Sequence, residues 1–185
     1  MNILEIIAES DILVPNEVTI ADKVLWLSAL NQDFFNVVKI PKVIQFGCVA
    51  GQIDFTLPPD VRQKNIDLLL IGPSQYRSLD HEDVTPYQNS FSYDDTTKTI
   101  SIYPAPYADL RGFLRYYRIA TTTFLSTALN VPPDAPEEYH WTYIPALAAY
   151  IANSQDDSVK AANYEAQYKA AWNVAAQNHQ AGVVK

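Results

Sequence analysis

Residues 20–46 read IADKVLWLSALNQDFFNVVKIPKVIQF, and the fold class turns on a change of period inside them. Ile20, Val24, Leu27, Leu30 and Phe34 recur at helical spacing, and Val37 and Val38 extend the stripe. Thr19 is the expected N-cap, and Asp22 three residues later favours the positive end of the helix dipole. Pro41 ends the helix. Beyond it, Val43, Ile44, Phe46 and Val49 predict a strand. A helix that hands over to a strand within a few residues predicts an α+β chain.

Working outward, both flanks keep that division. Upstream, Ile3 to Ala8 predicts a short helix, set apart by Pro15. Downstream, Ile53, Phe55 and Leu57 alternate, and Ile66 to Ile71 is a short apolar run typical of a strand buried on both faces. Phe91 and Tyr93, the polar run Asp94 to Lys98, and Ile100, Ile102 and Tyr103 predict a hairpin. Phe113 to Ile119 predicts another strand. Residues 72–89, with Pro73 and Pro86, predict a long loop of the kind that tends to be functional. Helical spacing returns near Asp134, the expected N-cap of a helix carrying Pro136 and Glu137 in its first turn. Pro145 is expected to kink that helix. After a turn at Asn153 to Ser158, capped by Asp157 or Ser158, the stripe Ala161, Tyr164, Tyr168, Ala171, Trp172 and Ala175 predicts a last helix.

The resulting expectation is an antiparallel helical bundle formed by residues 1–40 and 134–178, with an antiparallel β-domain inserted at 41–120. Residues 121–133 would be a linker and 179–185 an extended C-terminal tail.

Composition excludes several classes. The chain has 185 residues, enough to bury a core without metal or disulfide staples. A single cysteine, Cys48, excludes an intrachain disulfide and a cysteine-rich zinc site. The apolar stretch from Ile144 to Ala152 falls far short of a membrane span, and Met1 to Glu5 has no basic region of a secretory signal. Synthesis in the cytosol is expected. The formal charge of -8 argues against a protein that grips nucleic acid through phosphates. That charge is uneven: every arginine (Arg62, Arg77, Arg111, Arg115, Arg118) falls in the β segment, and the acidity is concentrated in the helical ends.

No catalytic constellation emerges. His81, His140 and His179 lack a second ligand at helical spacing, Cys48 sits in a strand pattern, and the acid pairs Asp94-Asp95 and Asp156-Asp157 fall at turns. Gly47 and Gly51 match no phosphate-binding fingerprint. No enzyme, metal or cofactor is expected. The β segment is instead crowded with tyrosines: Tyr76, Tyr87, Tyr93, Tyr103, Tyr107, Tyr116 and Tyr117. Tyr and Arg are enriched at interfaces because they offer large or planar hydrogen-bonding contact area. Arg111 and Arg115 would share one strand face, interleaved with Phe113.

Several pieces together resemble the head-to-tail adaptor (connector, tail-tubular-like) proteins of tailed bacteriophages. They are Asn31 to Val38, Phe55 to Arg62 followed by Ile66-Asp67-Leu68, Thr99 to Pro106, Leu114 to Tyr117, and above all Val131 to Trp141 ahead of an alanine- and tyrosine-rich helix. The layout spans residues 19 to 175. The resemblance implies a structural virion protein at the neck: a ring, commonly of twelve copies, between the portal protein and a tail-side neck protein, with double-stranded DNA passing through unread. Trp172, His179, Val183 and Val184 are the candidate portal contacts. Tyr76, Arg77, Leu79 and Tyr87 are the candidate tail-side contacts, and Arg111 and Arg115 the candidate inter-subunit contacts. The alternatives are a tail-completion or stopper protein and a monomeric carbohydrate-binding module whose tyrosines stack on sugar.

Overall fold

The computed structural model describes residues 1–79 and 85–181. The chain is mixed α+β and divides into two compact units: residues 1–39 with 120–185, and residues 40–119.

The first unit is helical. Helix α1 (Ile3–Leu13) opens with a full capping box, Asn2 accepting from the Glu5 amide at 2.9 Å and Glu5 accepting from the Asn2 amide at 3.0 Å. It runs five residues past the expected Ala8. Helix α2 (Ile20–Val37) is capped by Thr19 as the sequence predicts, with Asp22 in its first turn. Lys23, 4% exposed, ties α2 to α1 by donating to both carboxylate oxygens of Asp11 at 2.7 and 2.9 Å.

The C-terminal half departs from expectation in three ways. Asp134 does not cap a helix. It accepts from Asn31 and from the backbone and hydroxyls of Thr121 and Thr122. A 3-10 turn (Glu137–Thr142) comes first, and α3 (Tyr143–Ser154) follows. Pro145 is therefore the third residue of α3, where its missing N–H is one that an α-helix leaves unpaired anyway. Helix α4 (Ser158–Ala181) runs on into the first residues of the stretch expected to be an extended tail, 179–181, and the rest of that stretch lies outside the described residues. Asp157 accepts from the Lys160 amide at 3.0 Å and so caps it.

Helix α3 packs against α1, α2 and α4. Its alanine-rich surface is buried nearly all round, through Ala146, Leu147, Ala148, Ile151 and Ala152. Residues 121–133, expected as a linker, are held by this unit. The Ile3 and Leu4 amides donate to the carbonyls of Val131 and Leu129, and Phe124 is buried.

The second unit is a curled seven-stranded sheet: β1 (Pro41–Cys48), β2 (Asp54–Thr56), β3 (Ile66–Ile71), β4 (Ser74–Ser78), β5 (Ser90–Asp94), β6 (Thr99–Tyr103) and β7 (Leu110–Tyr117). The strand order is β1-β7-β3-β4-β5-β6-β2. All neighbours are antiparallel except β4 and β5, which pair in parallel through Arg77 with Ser90 and Ser78 with Phe91. The expected long loop therefore contains a strand, β4.

Curling brings the two edge strands together. Phe46 of β1 and Phe55 of β2 lie 5.4 Å apart. Phe46 covers Gly112, its partner on β7, so closely that a β-carbon there would fall 2.5 Å from the ring. The interior is filled by residues such as Leu69, Ile71, Ile100, Ile102 and Leu114.

Asp134 makes the helical unit pH-sensitive. Burial alone would push its carboxyl up, but the hydrogen bonds from Thr122, Asn31 and Thr121 outweigh burial and hold it below the ordinary 3.8. A carboxylate lowered in the folded state contributes stability above its unfolded value, and that stability is lost as the pH falls through the lowered folded value. Asp134→Asn is therefore expected to lower the melting temperature at pH 6. The gap to the wild type should close as the pH falls from 4 toward 2, as a series of thermal melts would reveal; a constant gap would rule the account out.

Candidate interaction surfaces

The β-unit carries an open cleft of about 910 Å³ lined by Arg62, Gln63, Lys64, Ile66, Ser78, Leu79, Asp95 and Lys98. One wall is a 3-10 turn (Gln63–Asn65) that follows the buried Val61. Asn65 is itself buried and donates to the Tyr117 carbonyl at 3.2 Å, which pins the turn to β7. The turn thus presents Arg62 and Lys64 to solvent from a fixed base. Lys98 stands on the β5–β6 turn with a left-handed backbone, φ 56°. Its ammonium donates to the Val61 carbonyl at 3.3 Å and pairs with Asp95 at 3.7 Å. Ile66 and Leu79 supply half-buried apolar surface. Among the described residues, Arg62 and Lys64 meet no carboxylate.

Beneath the turn lies a buried polar cluster. Asp60, 7% exposed, accepts from the Tyr116 hydroxyl at 2.8 Å and from Lys42 at 3.0 Å, with Arg118 at 3.7 Å. Burial first, and then the hydrogen bond and charge of Asp60, push the Tyr116 phenol far up. The neighbouring Tyr93 donates to the Val61 carbonyl at 3.2 Å and is pushed up to about 12, first by burial and then by Asp95, Asp94 and Asp60. Both stay neutral donors at physiological pH. Their work is to fix the segment that carries the cleft.

The residues singled out by sequence fall in different environments. Tyr76 points into the β-unit core and its hydroxyl donates to the Pro104 carbonyl at 3.2 Å. Arg77, next on β4, is exposed, Leu79 lines the cleft, and Tyr87 is exposed with its hydroxyl on the Ser78 carbonyl at 3.2 Å. Arg77, Leu79 and Tyr87 thus share one end of β4. Arg111 is exposed on β7, while Arg115 on the same face bonds Asp67 of β3 within its own chain.

In the helical unit, Trp172 is 2% exposed, so its side chain offers almost no surface to a partner. Its indole N–H donates to Thr142 at 2.9 Å, and its ring meets Phe34, Tyr143 and Tyr168. His179 is half-buried against Tyr139, with ring centroids 6.1 Å apart. His140 is buried with Nε2 2.8 Å from the Ala135 carbonyl. His81, Val183 and Val184 lie outside the described residues.

Sequence reasoning missed the cluster of Arg62, Lys64 and Lys98. The signal lay in Arg62 and Lys64 flanking Gln63 just after Pro58-Pro59-Asp60, with Lys98 closing the hairpin turn. Lys98 is 34 residues further on in the sequence, so only the fold joins them.

Among the described residues no group of His, Cys, Asp or Glu is arranged to hold a metal ion, and no helix is long and apolar enough to cross a membrane. What the described residues do offer is a helical unit and a β-unit with exposed arginines and a cation-lined cleft. The chain belongs to the SU10 adaptor protein family, whose model matches residues 1–184. This is a family of phage head–tail adaptors, structural rather than enzymatic. No curated protein matches the chain.

Proposed function

We propose that the chain is a structural protein of the virion neck, made in the host cytoplasm, that assembles as a ring of about twelve copies joining the portal protein to a tail-side neck protein. The observation that carries this reading is the family match over residues 1–184. In this reading the terminal helices act as an antiparallel bundle that anchors the ring, and the end of α4, with His179 and the adjoining Val183 and Val184, faces the portal. Trp172 holds α4 in place from inside. Arg77, Leu79 and Tyr87 face the tail, with Tyr76 fixing their strand, and Arg111 and Arg115 lie against the neighbouring copy. DNA passes without sequence readout.

The charge layout supports it. The helical unit carries twelve acidic and five basic side chains, and the β-unit nine and eight. A wall with that balance does not hold phosphates, so DNA moving past it is not retained. The test is to mix the purified protein with portal rings and measure the mass and symmetry of the complex. A ring of copies on each portal is expected. The reading fails if no complex forms and electron cryo-microscopy of virions finds no such ring between portal and tail.

A further inference from the structure

Two of the cations that line the cleft of the β-unit, Arg62 and Lys64, are not used by the described fold, and the chemistry of the cleft specifies an occupant. Arg62 and Lys64 are held out from a pinned turn and meet no carboxylate among the described residues. Lys98 faces the same space, its ammonium shared between Asp95 and the Val61 carbonyl. Among the described residues, three cations and one carboxylate around half-buried Ile66 and Leu79 form a site for a ligand that carries negative charge and an aliphatic side chain together. The pinned turn fixes the backbone that carries Arg62 and Lys64, so little backbone freedom is lost when such a ligand binds.

We propose that this cleft receives an acidic segment of the tail-side neck protein, its carboxylates paired with Arg62, Lys64 and Lys98 and an aliphatic side chain set against Ile66 and Leu79. This rests on the adaptor reading, and it names the chemistry of the tail-side partner. Leu79 belongs both to the cleft and to the exposed end of β4, and Ser78 beside it takes the Tyr87 hydroxyl, so the cleft is continuous with the surface assigned to the tail. A DNA backbone is the wrong occupant. A duplex is a rod that does not enter a concave space of this size, and a chain of charge -8 repels it at long range.

The test uses the full chain and a fluorescein-labelled peptide of repeated Glu-Leu-Asp, read by fluorescence anisotropy. A Lys-Leu peptide and a short DNA duplex serve as competitors. The acidic peptide should bind in a salt-sensitive way, with neither competitor displacing it. Arg62→Glu/Lys64→Glu, and the milder Arg62→Ala/Lys64→Ala, should weaken binding by about tenfold or more while leaving the melting temperature unchanged. Absence of peptide binding, equal binding by both double variants, or displacement by the duplex would each overturn the proposal. A triple variant, Asp80→Asn/Glu82→Gln/Asp83→Asn, should bind the peptide as the wild type does; a large gain would mean that the chain's own acidic residues compete for the cleft, and would also overturn it. The same double variants mixed with portal rings should assemble normally. Loss of ring formation by the wild type itself would strike the adaptor reading and leave the peptide result standing.

Discussion

Asp60→Ala is expected to destabilise the β-unit by about 3 kcal/mol, because it removes at once the acceptor of two hydrogen bonds and a counter-charge of Arg118. The Tyr116 hydroxyl is buried and would be left without its partner, which costs more than the net worth of the bond itself. Lys42 and Arg118 are partly solvated and lose less, so the cost stays below the full value for a broken buried ion pair. Tyr116→Phe leaves Asp60 with both cations and should cost only about 1 kcal/mol. The double variant should be less unstable than the two single effects added, since the phenyl ring at that position no longer needs an acceptor. Urea titrations of the four proteins measure this through their midpoints. Simple additivity, or an Asp60→Ala midpoint equal to the wild type, would mean that the cluster is not a unit.

Trp172→Ala is expected to cost the helical unit about 4 kcal/mol, the range for a buried aromatic replaced by a methyl group. The ring sits edge-on to Phe34 with centroids 5.5 Å apart and packs on Tyr168 at 4.8 Å, so its loss opens a cavity among aromatics that α2, α3 and α4 hold in fixed places. Trp172→Phe keeps part of that contact. Thr142 retains its bond to the Tyr139 carbonyl, so the conservative variant should lose less than half as much. Thermal melts of the isolated protein, with no portal present, read the effect. A Trp172→Ala protein that melts like the wild type would remove Trp172 from the core and return it to the contact surface.

The aromatic stripe on α4 illustrates where the sequence was legible and where it was not. Helical spacing correctly predicts that Tyr168, Trp172 and Ala175 share a face, and all three are buried. Spacing alone does not say whether that face meets its own chain or a partner. The cap at Thr19 is legible, and the one before α4 is narrowed to Asp157 or Ser158, because each is a local bond within three residues; the structure selects Asp157. Asp134 has the same appearance but bonds Thr121, Thr122 and Asn31, so its role depends on chain segments brought to it by the fold. Strand β4 escaped notice because Ser74-Gln75-Tyr76-Arg77-Ser78 turns only Tyr76 into the core, leaving no alternation to read. The hairpin of β5 and β6 was plain from Phe91, Tyr93, Ile100 and Ile102, which point inward as their period of two requires. The cleft was invisible for a different reason: its cations come from two separate turns and carry no pattern of their own.

The β-unit begins at Ile40 and ends at Ile119, and these ends are neighbours, for the Arg118 amide donates to the Ile40 carbonyl at 3.0 Å and Pro41 lies opposite Tyr117. The whole of residues 40–119 is therefore a cassette whose two termini already touch. Another sheet, or a short loop, whose ends lie equally close could be joined at the same two positions. A lineage built this way can trade one module while inheriting the other unchanged.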